Sequence, residues 1–95
     1  MEFEFDPAKS ASNKEKHGID FIEAQELWRG IALLTPARSD GEPRMGLVGM
    51  AGGKCWMAVY TFRNQVVRII SVRRARDYER NLYEDHIRSG TGPEV

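Results

Sequence analysis

The side chains with the clearest chemical potential are arginines in the second half of the chain. Arginine accounts for ten of the 14 Lys and Arg residues, and six of these arginines lie between Arg63 and Arg80. A guanidinium group keeps its charge and donates paired hydrogen bonds to phosphate oxygens. This enrichment indicates a phosphate-binding surface, and its candidate members on strands or strand ends are Arg44, Arg63, Arg68, Arg73 and Arg74.

Arg68 is the most informative of these residues because it lies inside the most apolar stretch of the chain, between Val67 and Ile69. An unpaired guanidinium in such a strand would lose several kcal/mol on desolvation. Arg68 therefore needs a carboxylate partner, such as Glu42 or a helix carboxylate, or it lines an open polar face of the sheet. Strict alternation would put Arg68 on the same face as Val72.

An open sheet face of this kind could bind nucleic acid. The alternating pattern of the preceding strand puts Tyr60 on one face with Trp56 and Phe62. Arginines and aromatic rings together can hold phosphates and stack bases. The residue pattern leaves open whether Arg68 binds phosphate or forms an ion pair that stabilises the fold.

Other kinds of active site have less support in the sequence. His17 is a proton-transfer candidate, although a histidine at a helix end also interacts with the last carbonyl groups. Cys55 and the two histidines show no metal-ligand spacing. Gly52, Gly53 and Lys54 lack the spacing of a phosphate-binding loop and indicate a hairpin turn. The sequence predicts no metal and no cofactor.

Composition and charge limit the class of protein. The chain has 95 residues, zero net charge and one cysteine. Residues 1–42 carry a net charge of −4 and residues 43–95 a net charge of +4, which predicts a basic surface built by the second half. The absence of a signal peptide or a membrane-length apolar run predicts a cytoplasmic protein. We expect one domain over residues 1–88 and a flexible tail over residues 89–95.

The residue pattern predicts the element order β-α-α-β-β-β-β-α. Asp6 and Gly18 have the types expected at the start and end of a first helix, and Asp20 with Glu23 predicts the start of a second helix that runs to about Arg29. Strands are expected near residues 31–34, 44–50, 55–62 and 66–72, and a last helix near 76–87. Short turns between strands predict an α+β fold with an antiparallel sheet, covered on one face by helices from both chain ends.

Several segments along the chain form a recognisable series. They are residues 3–9, Asn13, residues 16–24, Glu42-Pro43-Arg44, Tyr60-Thr61 with Arg63, residues 68–75, and Glu79-Arg80 with Tyr83-Glu84. In this order and spacing they resemble the BrnT family of toxins from type II toxin–antitoxin systems. Arg76 departs from the Thr or Ser that this family often has before its last helix.

The resemblance implies a RelE-like fold and a ribonuclease that inhibits translation. It also implies neutralisation by a DNA-binding antitoxin of the BrnA type, with operator DNA bound only through the toxin–antitoxin complex. The RNA substrate could be free or on the ribosome, and no membrane is involved.

The RelE-like setting suggests roles for individual residues in metal-independent RNA cleavage. Arg68 and Arg73 would stabilise phosphate charge, while Glu42, His17 and Tyr60 are acid–base candidates. Two alternatives stay open at this point: a non-catalytic interaction or nucleic-acid-binding module, and a gyrase poison of related fold. The residues expected to position RNA are Arg44, Arg63 and Arg74.

Overall fold

A single five-stranded sheet organises the protein, whose computed structural model describes residues 1–37 and 41–90. The spatial order is β1-β5-β4-β3-β2, and β2 to β5 pair antiparallel as predicted. However, β1 pairs parallel with β5, so the sheet is mixed and the prediction of a wholly antiparallel sheet was wrong. No tight turn joins β1 to β5, and a long connection permits parallel pairing. The strands are β1 (Phe3–Glu4), β2 (Leu33–Pro36), β3 (Met45–Ala51), β4 (Lys54–Arg63) and β5 (Val66–Arg74).

The first helix, α1 (Pro7–His17), begins and ends as predicted. The Asp6 side chain accepts a hydrogen bond from the Ala8 N–H at 2.9 Å, and Gly18 adopts the left-handed conformation with φ of 86°. Gly18 permits this because it has no Cβ to clash. Helix α1 is thereby fixed in length between two strong local signals.

The second helical segment differs from the prediction. Asp20 and Glu23 exchange the expected capping hydrogen bonds at 3.0 and 2.7 Å. The segment that follows, Glu23–Trp28, is a 3₁₀ helix of six residues rather than an α-helix. So short a segment gains few i→i+4 bonds, and packing decides its geometry.

The last helix, α2 (Asp77–Gly90), is longer than predicted. Residues 89 and 90 belong to it and not to the expected tail, whose remainder lies outside the described residues. The dipeptide Asp40-Gly41, whose residue types predict a turn, also falls partly outside them. No helix in the described residues has the length and apolar content to cross a membrane.

The sheet is covered on both faces, not on one as predicted. What we call the first face packs against Phe21 and Leu27 of the segment that includes the 3₁₀ helix. The second face packs against Tyr83 of α2 through Val48 and Met57. Because β3 and β4 carry apolar residues at consecutive positions, both of their faces need cover. The RelE-like topology implied by the resemblance stays a prediction.

A β-bulge in β5 decides which of its side chains face each side. Ser71 lies opposite Val59 and Ile69 lies opposite Tyr60, so Ile70 is one extra residue in the ladder. The bulge reverses the alternation, and Val72 joins Ile69 in the core of the first face. The prediction that Arg68 shares a face with Val72 was therefore wrong.

The amide of Asn13 completes the edge of β5 beyond the end of β1. Asn13 Nδ2 donates to the Val72 carbonyl oxygen at 2.9 Å, and its Oδ1 accepts from the Val72 N–H at 3.2 Å. Nδ2 also donates to the Ile19 carbonyl oxygen at 2.8 Å. This buried amide acts as a one-residue neighbouring strand and holds α1 beside the bulge.

We expect Asn13→Ala to lower the free energy of unfolding by about 2–3 kcal/mol, because it leaves the buried backbone groups of Val72 without partners. The measurement is urea denaturation followed by circular dichroism. Ser12→Ala, next to it on the exposed side of α1, is the control and should change stability by less than about 0.5 kcal/mol. Equal stabilities of the two variants would contradict this role of Asn13.

Candidate nucleic-acid interface

Three arginines meet at one end of the second face, around the carboxylate of Glu42. We call Arg44, Arg63 and Arg68 the arginine cluster. Arg68 lies opposite Thr61 in the ladder, and Arg63 follows two residues later on the same face of β4. Arg44 comes directly before β3, whose first residue lies opposite Tyr60. The structure thus brings together four of the site residues predicted from sequence.

Local contacts fix the backbone around this cluster. Thr61 Oγ1 donates to the Pro43 carbonyl oxygen at 2.7 Å and so ties the loop that carries Glu42 to β4. Asn64 and Gln65 at the β4–β5 turn both have positive φ, 53° and 68°. These angles match the tight two-residue turns that suit the twist of a hairpin.

Ion pairs in the cluster are direct but exposed. Arg63 Nε and Nη2 donate to the two Glu42 carboxylate oxygens at 3.2 and 3.3 Å. Arg68 Nη1 donates to Glu4 Oε2 at 3.3 Å, a partner on β1 that the sequence did not indicate. Because these four side chains are 30–50% exposed, the pairs contribute little to stability. Their guanidinium groups are accessible to an anion from solvent.

The charge state of Glu42 follows from its neighbours. The hydrogen bond from Arg63 lowers the pKa of the Glu42 carboxyl, and the positive charges of Arg44 and Arg68 lower it further. Glu42 is therefore a carboxylate at neutral pH. A carboxylate surrounded by guanidinium groups can accept a proton while those groups hold a phosphate.

The guanidinium group of Arg44 contains a buried hydrogen-bond donor. Its Nε is buried and has no hydrogen-bond partner among the described residues. A buried donor without a partner is costly. A phosphate oxygen over the cluster would be suited to the remaining donors of this guanidinium group.

Arg73, by contrast, forms an ion pair with a buried carboxylate, and this pair has a structural role. Its Nη1 and Nη2 donate to both carboxylate oxygens of Glu79 at 2.8 Å, and Glu79 also accepts the Arg76 N–H at 2.8 Å. Glu79 is 6% exposed. The Arg73 hydrogen bonds lower the pKa of the Glu79 carboxyl. Arg73 thereby anchors the start of α2 to β5.

Two other predicted site residues lie on the first face. Tyr60 is buried among aromatic rings, with its ring centroid 5.3 Å from that of Trp28, and burial raises the pKa of its hydroxyl. Arg74 lies over the ring of Trp56 at 5.6 Å. Neither residue joins the arginine cluster, because the cluster lies on the second face of the sheet.

His17 is exposed at the end of α1. It lines a shallow pocket with Lys9, Lys16 and Ser71 beside the bulge in β5. Sequence reasoning singled out His17 but not the other three residues. Within the described residues, no group of three His, Cys, Asp or Glu side chains could hold a metal ion.

Comparison with protein families identifies one family whose profile matches most of the chain. The profile of a family described as the ribonuclease toxin BrnT of type II toxin–antitoxin systems matches residues 5–79. The chain belongs to the BrnT family. The matched range contains the whole arginine cluster, the Arg73–Glu79 pair and the α1 pocket. No curated protein matches the chain significantly.

Membership of the BrnT family confirms the resemblance seen in the sequence and implies an antitoxin partner. The family description also supports a ribonuclease in general terms. The residues of this BrnT family member that act on RNA are inferred from its structure.

In this BrnT family member, we expect Glu79→Gln to lower the free energy of unfolding by about 2 kcal/mol near neutral pH. Folding lowers the pKa of the Glu79 carboxyl, so this group stabilises the protein at pH values above its pKa in the unfolded chain. That contribution is lost as the pH falls through the pKa of the folded protein. The difference between wild type and variant should therefore shrink in acid. A pH series of urea denaturation curves measures it, and a constant difference across the series would contradict the ion-pair account.

Proposed function

We propose that the chain is an endoribonuclease toxin that cleaves RNA at the arginine cluster without a metal ion. In this proposal it inhibits translation in the cytoplasm and is neutralised by a DNA-binding antitoxin of the BrnA type. The observation that carries the proposal is the meeting of Arg44, Arg63 and Arg68 around Glu42 on an uncovered part of the sheet.

The arginines would bind and stabilise the reacting phosphate. Attack of a ribose 2′ oxygen on the adjacent phosphorus adds negative charge to the phosphate oxygens. Fixed guanidinium groups stabilise that charge more in the transition state than in the bound substrate. Arg68 fits this role because Glu4 accepts from only one of its terminal nitrogens, and Arg44 adds positive charge beside Glu42.

Proton transfer would begin at Glu42. When a phosphate competes for Arg63, the Glu42 carboxylate is free to take the proton of the 2′ hydroxyl. The bond from phosphorus to the 5′ oxygen then breaks and leaves a 2′,3′-cyclic phosphate. The departing 5′ oxygen takes its proton from solvent, because His17, a further proton-transfer candidate, lines the pocket beside Ile70 and not the arginine cluster. Tyr60 is left out of the mechanism because it lies on the first face.

The donor set supports cleavage without a metal. Three guanidinium groups disfavour a divalent cation at the same place, and they supply the charge stabilisation for which many nucleases use metals. Both nearby carboxylates, Glu4 and Glu42, already accept hydrogen bonds from arginines.

The hydrogen bonds that Glu4 and Glu42 already accept from arginines also favour a second function. If Arg63 stays on Glu42 when RNA binds, no base is free and the protein is a nucleic-acid-binding module. This alternative predicts RNA binding that weakens steeply with salt and yields no cleavage products. Growth arrest on expression, relieved by the neighbouring antitoxin gene, would favour the toxin over the module.

We expect Arg68→Ala to reduce RNA cleavage at least about 100-fold, because it removes one charge-stabilising group. The measurement is incubation of purified, antitoxin-free protein with total RNA. Arg88→Ala is the matched control, since Arg88 is exposed on α2 and pairs only with Asp85 among the described residues. Wild-type cleavage by a folded Arg68→Ala protein would remove Arg68 from the site.

A further inference from the structure

The shallow pocket that His17 lines is a second basic site, separate from the arginine cluster. It lies next to the bulge of β5, at the edge of the sheet. It has a volume of about 230 Å³ and is open to solvent. Of the residues that the structure describes, no acidic one lines it. Its lining residues are Lys9, Ser12, Asn13, Lys16 and His17 of α1 with Ile70 and Ser71 of β5.

The spacing of the α1 residues puts their side chains over one side of the helix. Lys9, Ser12 and Lys16 stand three and four residues apart, so they lie one above the other. The hydrogen bonds between Asn13 and Val72 hold this side of α1 against β5. The two ammonium groups and the Ser71 hydroxyl therefore border one fixed space.

Helix electrostatics account for Lys16 but not for Lys9. Lys16 and His17 in the last turn do suit the negative end of the helix. Lys9, however, is in the first turn, where a cation is unfavourable, and that turn contains no acidic residue. Lys14 provides a contrast, because its Nζ is 2.8 Å from a Glu23 oxygen. Among the described residues, Lys9 and Lys16 form no such ion pair.

We propose that this pocket binds a backbone phosphate of the same RNA strand whose reacting phosphate lies on the arginine cluster. The inference rests on the proposed function and extends it to a flanking subsite. Ser71 follows Arg68 by three residues on β5, a distance of about 10 Å along a strand, which a short oligonucleotide can span. Ammonium and hydroxyl groups are common donors to phosphate oxygens, and contacts to phosphate carry no sequence information, so we expect the subsite to be independent of RNA sequence.

The test measures binding separately from cleavage. The probe is a fluorescent RNA oligonucleotide with 2′-O-methyl groups, which cannot be cleaved by attack of the 2′ oxygen. The double variant Lys9→Gln with Lys16→Gln is compared with Lys14→Gln with Lys54→Gln. Both remove two charges from exposed lysines, and glutamine keeps the helix propensity.

We expect the Lys9 and Lys16 double variant to bind about ten-fold more weakly at 0.15 M salt and to lose about 1.4 from the slope of log affinity against log salt. The Lys14 and Lys54 double variant should stay within about two-fold of wild type. Ser71→Ala removes a donor without changing charge, so it should weaken binding with the salt slope unchanged. Equal affinities and slopes for the two double variants would overturn the subsite.

Parallel cleavage assays on unmodified RNA separate this inference from the proposed function. If the wild type cleaves RNA and the two double variants bind alike, the subsite is wrong and the nuclease stands. If the wild type does not cleave but the Lys9 and Lys16 variant still binds more weakly, the subsite stands and the nuclease does not.

Discussion

One extra residue at Ile70 in β5 decides which side chains of that strand enter the core and which reach the second face. Without the bulge, strict alternation would carry Val72 out of the core that it shares with Ile69. With it, Val67, Ile69 and Val72 line one core although they do not alternate, and Arg68 and Arg73 both face the other way. The cost of the irregular ladder is offset at Val72 by the Asn13 amide, which satisfies both backbone groups. The bulge and Asn13 also create the space next to α1.

Arg68 and Arg73, the two arginines on this side of β5, differ in how deeply their carboxylate partners are buried. This difference separates a structural role from a functional one. Glu79 is nearly inaccessible, holds Arg73 with two short hydrogen bonds and closes the first turn of α2. Glu4 is 40% exposed and holds Arg68 with one longer bond. A ligand phosphate can compete with the second pair far more easily than with the first, since exposed pairs are weak and solvent already reaches them. A role in anion binding therefore fits Arg68 better than Arg73.

The parts of the fold that the sequence predicted are those fixed by neighbours along the chain. Asp6 and Gly18 set the ends of α1, and Gly52 with Gly53 sets the β3–β4 turn through positive φ. Parallel pairing of β1, the bulge and the placement of α2 on the second face depend on distant contacts. No local pattern encodes them, and a single inserted residue is enough to invert an argument from alternation.

Prediction of the candidate site had the same limit. Arg44, Arg63, Arg68 and Glu42 were indicated by residue type and by the family resemblance, and the structure brings them together. Tyr60 lies on the opposite face from this cluster. Alternation shows which residues of one strand share a face, but it does not show which face of the next strand they match. Further members of the interface were missed because each is an ordinary surface residue until the fold places it beside a basic group. These are Glu4, Lys9, Lys16 and Ser71.

The chemistry of the RNA ends tests the central claim most directly. Purified protein is incubated with a defined RNA in the presence of EDTA, and both new termini are identified by mass spectrometry. Cleavage by arginine-stabilised attack of the 2′ oxygen predicts a 2′,3′-cyclic phosphate on one fragment and a 5′ hydroxyl on the other. Fragments with a 5′ phosphate, or cleavage that requires an added divalent cation, would contradict the account.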